Sequence, residues 1–286
     1  MRNLIYVNGD LVPADRAVVP LMDRGYLYGE GLFESMRAYR GRIFALDRHL
    51  QRLLSSAVEL GLELGVGEEN LARILALTLE ANHRSDAYLR LTISQRCDAP
   101  GIESRAPGKF TVSVIAREIG AAQEHRGGTS AVVLEPGSAP PASLARHKTL
   151  SFLAYVRARA AARGRLAQDA LLVNSAGEIT EASTANVFFV VEGRVVTPPV
   201  ACGLLPGVTR AIVLELARGQ GVEAAKRVVR PAELAACSEC FLTNSIIELQ
   251  PVTTLNGRPV GSGAPGPVCA ALFAAYSRAT AAASDA

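Results

Sequence analysis

One lysine and the two landmarks after it constrain this chain most. Lys148 lies in Arg146-His147-Lys148-Thr149-Leu150-Ser151-Phe152-Leu153. Next comes Gly177-Glu178-Ile179-Thr180-Glu181-Ala182-Ser183-Thr184-Ala185-Asn186-Val187-Phe188, a turn followed by a carboxylate. The third is Gly203-Leu204-Leu205-Pro206-Gly207-Val208-Thr209-Arg210, where Pro206-Gly207 sets the start of a helix. A helix start presents backbone N–H groups to an anion. Strand-like and helix-like segments alternate around these landmarks, which reads as a mixed α/β fold.

The N-terminal part reads as a hairpin at Asn8-Gly9, a strand over 31–39, a turn at Arg40-Gly41-Arg42 and a short strand over 43–45. Asp47 is the expected N-cap of a helix running to Leu60, with Leu50, Leu53, Leu54, Ala57 and Leu60 at helical spacing. A helix over 69–81 and strands over 87–94 and 109–115 follow. The polar, glycine-bearing stretch 120–128 reads as a linker. It would divide a small α/β domain, 1–119, from a larger one, 129–286. In the latter, helices are expected over 152–163, 208–218 and 268–281. Strands are expected over 131–134, 170–173, 186–191, 195–196, 228–229, 240–243 and 249–255.

A chain of 286 residues, 49% hydrophobic and 20% charged, can bury a substantial core. Its net charge is only +3 and no basic block stands out, which argues against a nucleic-acid partner. It has neither a signal-peptide pattern nor an apolar run long enough to span a bilayer, so a cytoplasmic protein is expected, with no membrane partner. Five scattered cysteines do not make a disulfide framework. Cys237 and Cys240 match C-x-x-C, but no second pair completes a ligand set, and no metal is expected.

Several motifs, in order from Tyr6-Val7-Asn8-Gly9 to Thr243-Asn244-Ser245, resemble the class IV aminotransferases, the fold-type IV enzymes of pyridoxal 5'-phosphate (PLP). The resemblance implies a two-lobed α/β (α+β) fold, with a small N-terminal domain and a larger, α/β-barrel-like one. It also implies a homodimer. Lys148 matches the lysine that forms the Schiff base and carries the proton. Glu181 matches the carboxylate under the pyridine nitrogen; Glu178 is its rival by position. Arg52, in His49-Leu50-Gln51-Arg52, matches the phosphate-binding arginine. Thr184, Val208 and Thr209 match further phosphate contacts, and Ser245 and Ile246 match residues lining the ring and substrate side. Tyr28 resembles a residue near the pocket. The family often has glycine where this chain has Ala182. His147 is expected on the face opposite Lys148, away from the chemistry.

A substrate with a carboxylate needs a cation. Arg24 and Arg90 are the candidates, and strand alternation puts Tyr88, Arg90 and Thr92 on one face. Tyr88-x-Arg90 and the run from Phe33 to Tyr39 resemble branched-chain aminotransferases, although Ser35-Met36 replaces their usual Gly-Ile. One group of D-amino acid transaminases uses two pocket arginines, which Arg24 and Arg90 match. The expected reaction is amino transfer between an amino acid and a 2-oxo acid such as 2-oxoglutarate or pyruvate. A D-amino acid donor is placed ahead of an L-branched-chain one. The alternative is an aminodeoxychorismate lyase, which releases pyruvate and gives 4-aminobenzoate.

Overall fold

The computed structural model describes residues 3–104, 106, 108–119 and 127–285. Residues 120–126 of the expected linker lie outside them. The chain divides into two compact units. One comprises residues 1–120, 147–152 and 280–286, and the other residues 121–146 and 153–279.

The first unit is built on an antiparallel sheet. Its strands are β1 (Leu4–Val7), β2 (Asp10–Pro13), β3 (Gly31–Tyr39), β4 (Arg42–Ile43), β5 (Ala87–Gln95) and β6 (Phe110–Glu118), in the order β2-β1-β6-β5-β3-β4. Helices α1 (Arg24–Tyr28), α2 (Leu46–Glu59) and α3 (Glu68–Ala81) complete it. Alternation explains β5. Ala87, Leu89, Leu91 and Ile93 are fully buried, and Tyr88, Arg90 and Thr92 on the other phase are half-buried. The buried phase packs with Leu50, Leu53 and Ala57 of α2 and Leu71, Ile74, Leu75 and Leu79 of α3. The helical spacing of these leucines makes the stripe that covers the sheet.

The second unit holds a nine-stranded mixed sheet. Its chain order is β7 (Thr129–Pro136), α4 (Ala142–Ala145), α5 (Leu153–Gly164), β8 (Asp169–Val173), β9 (Ile179–Ala182), β10 (Asn186–Val191), β11 (Arg194–Thr197), α6 (Val208–Gly219), β12 (Ala224–Lys226), β13 (Cys237–Asn244), β14 (Glu248–Leu255) and β15 (Arg258–Pro259). The strands lie in the order β12-β11-β10-β13-β14-β7-β8-β9, with β15 on β14. The pairs β7–β8, β7–β14 and β11–β12 are parallel. Ala158 and Ala162 of α5 seat it on Val132, Ala170 and Leu172. The opposite face buries Leu171, Val173, Val187, Phe189 and Leu242. A final helix, α7 (Pro267–Asp285), closes the chain.

Three local readings need correction. Ala45 turns left-handed (φ 51°), so α2 begins at Leu46 and Asp47 sits in its first turn rather than at the cap. The expected strand at 43–45 ends with Ile43 for the same reason. The strand expected at 228–229 is displaced to Ala224–Lys226, which pairs in parallel with β11. Val229 still serves the second unit, its carbonyl accepting from Ile179 N at 2.8 Å.

Leu91 is fully buried at the centre of the first core. Leu91→Ala should lower the unfolding free energy by about 3 kcal/mol, read from a urea titration.

Candidate active site

The first unit gathers one set of groups. Lys148 reaches the sheet because its segment pairs with the start of β3. Phe33 N donates to Lys148 O at 2.9 Å, and Leu150 N donates to Gly31 O at 2.9 Å. A Cβ on Gly31 would meet Ile93 O at 2.6 Å, so only glycine lets the strands close up there. The ammonium of Lys148 stands 4.5 Å from the centre of the Phe33 ring, and the guanidinium of Arg90 stands 3.8 Å from the same ring. Register places Thr92 opposite Phe33 and Arg90 opposite Ser35. Ser35 Oγ and Tyr88 Oη lie 3.4 Å apart. Phe33, Ser35, Tyr88, Arg90 and Thr92 therefore share one face.

Behind β3 is a buried ionic cluster. Glu34 lies on the core phase of the strand and is fully buried. Arg52 donates from Nε to Oε1 at 2.9 Å and from a terminal nitrogen to Oε2 at 2.6 Å. His49 Nδ1 donates to Oε2 at 2.8 Å. Burial alone would push the Glu34 carboxyl up. Arg52 and His49 more than offset that and hold it at about 2. Burial pushes the His49 imidazole down, against the pull of Glu34, so His49 is a neutral donor. His147 points into α2, with Nδ1 3.1 Å from Ser56 Oγ.

Arg24 departs from the expected carboxylate receptor. Its fork is taken up by Glu30 and by the carbonyls of Gly101, Ile102 and Ser104 at 2.6–2.9 Å. Tyr28 packs on its guanidinium at 4.9 Å and accepts Gly101 N at 2.9 Å. Both hold the 101–104 loop.

The second unit gathers another set. Glu181, on β9, is 5% exposed. Its Oε2 accepts Leu205 N at 3.1 Å and Asn186 Nδ2 at 3.3 Å, and its Oε1 accepts the Tyr155 hydroxyl at 3.0 Å. Burial, with the Glu181 charge adding, pushes the Tyr155 phenol far above its usual range. Asn186 also donates to Leu205 O at 2.8 Å, and a side chain on Gly207 would collide with its Oδ1. Helix α6 then opens at Val208 with no side-chain cap on its first N–H groups, and Thr209 is buried there. The Asn244 amide donates to Thr184 O at 2.9 Å and accepts Ile246 N at 2.8 Å, which fixes the turn carrying Ser245 and Ile246. Glu178 is held by Asn174 in its turn, away from this set. Ala182 is ordinary extended strand, so its methyl group costs nothing. Cys237 and Cys240 are buried with raised thiols, and no metal-binding group of His, Cys, Asp or Glu exists among the described residues.

Sequence reasoning missed Glu34 and Tyr155. Glu34 had a signal, a charge on the apolar phase of β3. Tyr155 had none beyond being the one tyrosine of an Ala- and Arg-rich helix.

The amino-transferase class IV family model matches residues 31–255. The chain belongs to the class IV aminotransferases. It is a transaminase of mixed α/β, fold-type IV architecture. It is 32% identical to the D-alanine aminotransferase of Bacillus licheniformis, over 92% of each chain. Among solved structures it is similar to the T.th. branched-chain amino acid aminotransferase with pyridoxamine 5'-phosphate (TM-score 0.91, 28% identity, 98% and 94% coverage). It is also similar to the branched-chain aminotransferase of Thermoproteus uzoniensis with norvaline (0.90, 26%, 98% and 96%). No helix among the described residues of this aminotransferase is long and apolar enough to cross a membrane.

Glu34 and His49 both hold protons less readily in the folded chain than in the unfolded one. Their stabilisation is complete above pH 6.5, the usual histidine value. It falls below that as unfolded His49 charges. It falls again from 4.5 toward about 2, where Glu34 protonates in the unfolded chain first. Urea midpoints across this range check both branches. Glu34→Gln should remove the lower branch and cost about 3 kcal/mol at neutral pH, because it takes the charge out of the Arg52–Glu34 ion pair.

Proposed function

We propose that this aminotransferase uses pyridoxal 5'-phosphate to move an amino group between an amino acid and a 2-oxo acid such as 2-oxoglutarate or pyruvate. The favoured donor is a D-amino acid with a small or acidic side chain. The observation that carries the reading is the Phe33 ring, flanked by the amine of Lys148 and the guanidinium of Arg90. One group suits a carbonyl carbon and the other a carboxylate, and an α-amino acid presents its reacting carbon and its carboxylate side by side.

The residues present fit the cofactor. The uncapped start of α6 at Val208 and Thr209 suits a phosphate. Arg52, held rigid by Glu34, and Thr184 suit it as well. Glu181 suits a protonated ring nitrogen. Thr243 Oγ1, paired in register with Asn186, is buried with no partner among the described residues, an acceptor or donor left for a ligand. When bound, PLP supplies an aldehyde for the amine and a ring that takes up electrons released at the substrate α-carbon.

Lys148 is the nucleophile and moves the proton at the α-carbon. Arg90 and Tyr88 hold the carboxylate, and Ser245 and Ile246 line the substrate side. Glu181 keeps the proton at the ring nitrogen. Ser35, Tyr88, Arg90 and Thr92 make a polar face, a poor seat for a branched apolar side chain. An L-branched-chain donor is the second reading, favoured by Tyr88-x-Arg90 and by the solved neighbours. The lyase reaction is not favoured, since the relatives are named for amino transfer.

The proposal includes a cytoplasmic homodimer. Val18, Leu21, Tyr26 and Ile102 are each at least 70% exposed, around α1 and the loop that Arg24 holds, and a second copy would cover them.

The test is the visible absorption spectrum of the protein loaded with PLP. The wild type should show a band that Lys148→Ala lacks, and amino transfer should fall about 10³-fold or more in that variant. D-alanine or D-glutamate should convert the band to that of pyridoxamine phosphate. Conversion by L-leucine alone moves the reading to a branched-chain enzyme. No band at all overturns it.

A further inference from the structure

We propose that Tyr155 is a positioning residue, which acts through Glu181 to keep the proton on the cofactor's ring nitrogen. The inference rests on the reading of Glu181 as the ring-nitrogen partner and adds to it a residue of α5 that no motif marks.

The geometry divides the donors between the two carboxylate oxygens. Oε2 is served by Leu205 N and by Asn186, whose amide is itself tied to Leu205 O. Those two contacts fix one oxygen against the turn before α6. Oε1 takes the Tyr155 hydroxyl at 3.0 Å. That bond fixes the rotation of the carboxylate plane, and with it the direction in which the remaining lone pairs face. Tyr155 reaches the site from a helix seated by Ala158 and Ala162, so its ring is carried on a packed element rather than a loop.

The bond also has an electronic effect. Hydrogen bonds to a carboxylate stabilise its charged form. A Glu181 that accepts Tyr155 therefore competes less for the ring-nitrogen proton, which stays on the ring. The donor is available at any working pH. Burial and the neighbouring charge both hold the phenol in its protonated form. Tyr155 thus moves no proton itself; it sets where one resides.

The experiment compares wild type and Tyr155→Phe, both loaded with PLP labelled with ¹⁵N in the ring. Phenylalanine keeps the ring volume and removes only the hydroxyl. The ¹⁵N resonance should move toward the unprotonated value. The pH midpoint of the visible band should shift by about half a unit, and the cofactor should dissociate about tenfold faster. In a Glu181→Gln background the same substitution should leave the nitrogen resonance unmoved, because the two residues act as one unit. A purely structural tyrosine would lower stability without moving that resonance. A wild type that takes up PLP, with Tyr155→Phe giving the same resonance, midpoint and release rate, overturns the role of Tyr155 alone. A wild type that takes up no PLP overturns this inference together with the reading of Glu181.

Discussion

The pairing of the Lys148 segment with the first residues of β3 is the constraint on which the first unit's site depends. Two backbone hydrogen bonds of 2.9 Å and the Leu32–Thr149 bridge fix it. A strand has only two faces, so this register decides which face of β3 Lys148 meets. Leu32, Glu34, Met36 and Ala38 go to the core, and Phe33 and Ser35 go to the face where Lys148 and Arg90 meet. The ladder with β5 holds these faces of β3, and a slip of one residue along the Lys148 segment would carry Lys148 out of register with Phe33. The glycine at position 31 is what the close approach of β5 demands, and it is therefore part of the same constraint.

The charge on the core face then organises the helix above it. Glu34 binds both His49 and Arg52, one turn apart on α2, so a single carboxylate sets the rotation of the helix as well as the direction of the guanidinium. The apolar stripe of Leu50, Leu53 and Ala57 would tolerate some rolling of the helix on the sheet. The ionic contacts do not, because rolling the helix would pull Arg52 off the buried Glu34 carboxylate.

Most of this fold is legible in the sequence wherever periodicity is strong. The alternation in β5, the leucine stripe of α2 and the Pro206-Gly207 start of α6 all announce themselves, because each follows from burial of one face or from the chemistry of a helix end. What escapes reading is set by tertiary context. Nothing local separates Val228-Val229, two good strand formers left without a ladder, from Ala224–Lys226, which pair because β11 lies beside them. Arg24 carries the charge expected of a carboxylate receptor, yet nearby Glu30 and three carbonyls from a distant loop claim its fork. The order of Lys148, Glu181 and Val208 is written in the chain, and the hydroxyl that meets Glu181 is not. Sequence spacing reports which groups exist, and only the packing of α5 reports which of them touch.

Two of the buried carboxylates, Glu34 and Glu181, are held by different kinds of donor, and under the proposed function they do different work. Glu34 is bound by a guanidinium and an imidazole, so its charge is balanced inside the protein and its oxygens are occupied by the contacts that hold α2. Glu181 accepts from Tyr155, Asn186 and a backbone N–H, which are neutral donors, and its charge also acts on the buried Arg210. Neutral donors orient a carboxylate and favour its charged form without cancelling the charge. Burying an anion costs free energy, and a further cation brought to it lowers that cost. Under the proposed function that cation is the protonated ring nitrogen. On that reading the contacts of Glu34 serve the seating of α2, and those of Glu181 serve the direction in which it meets the ligand.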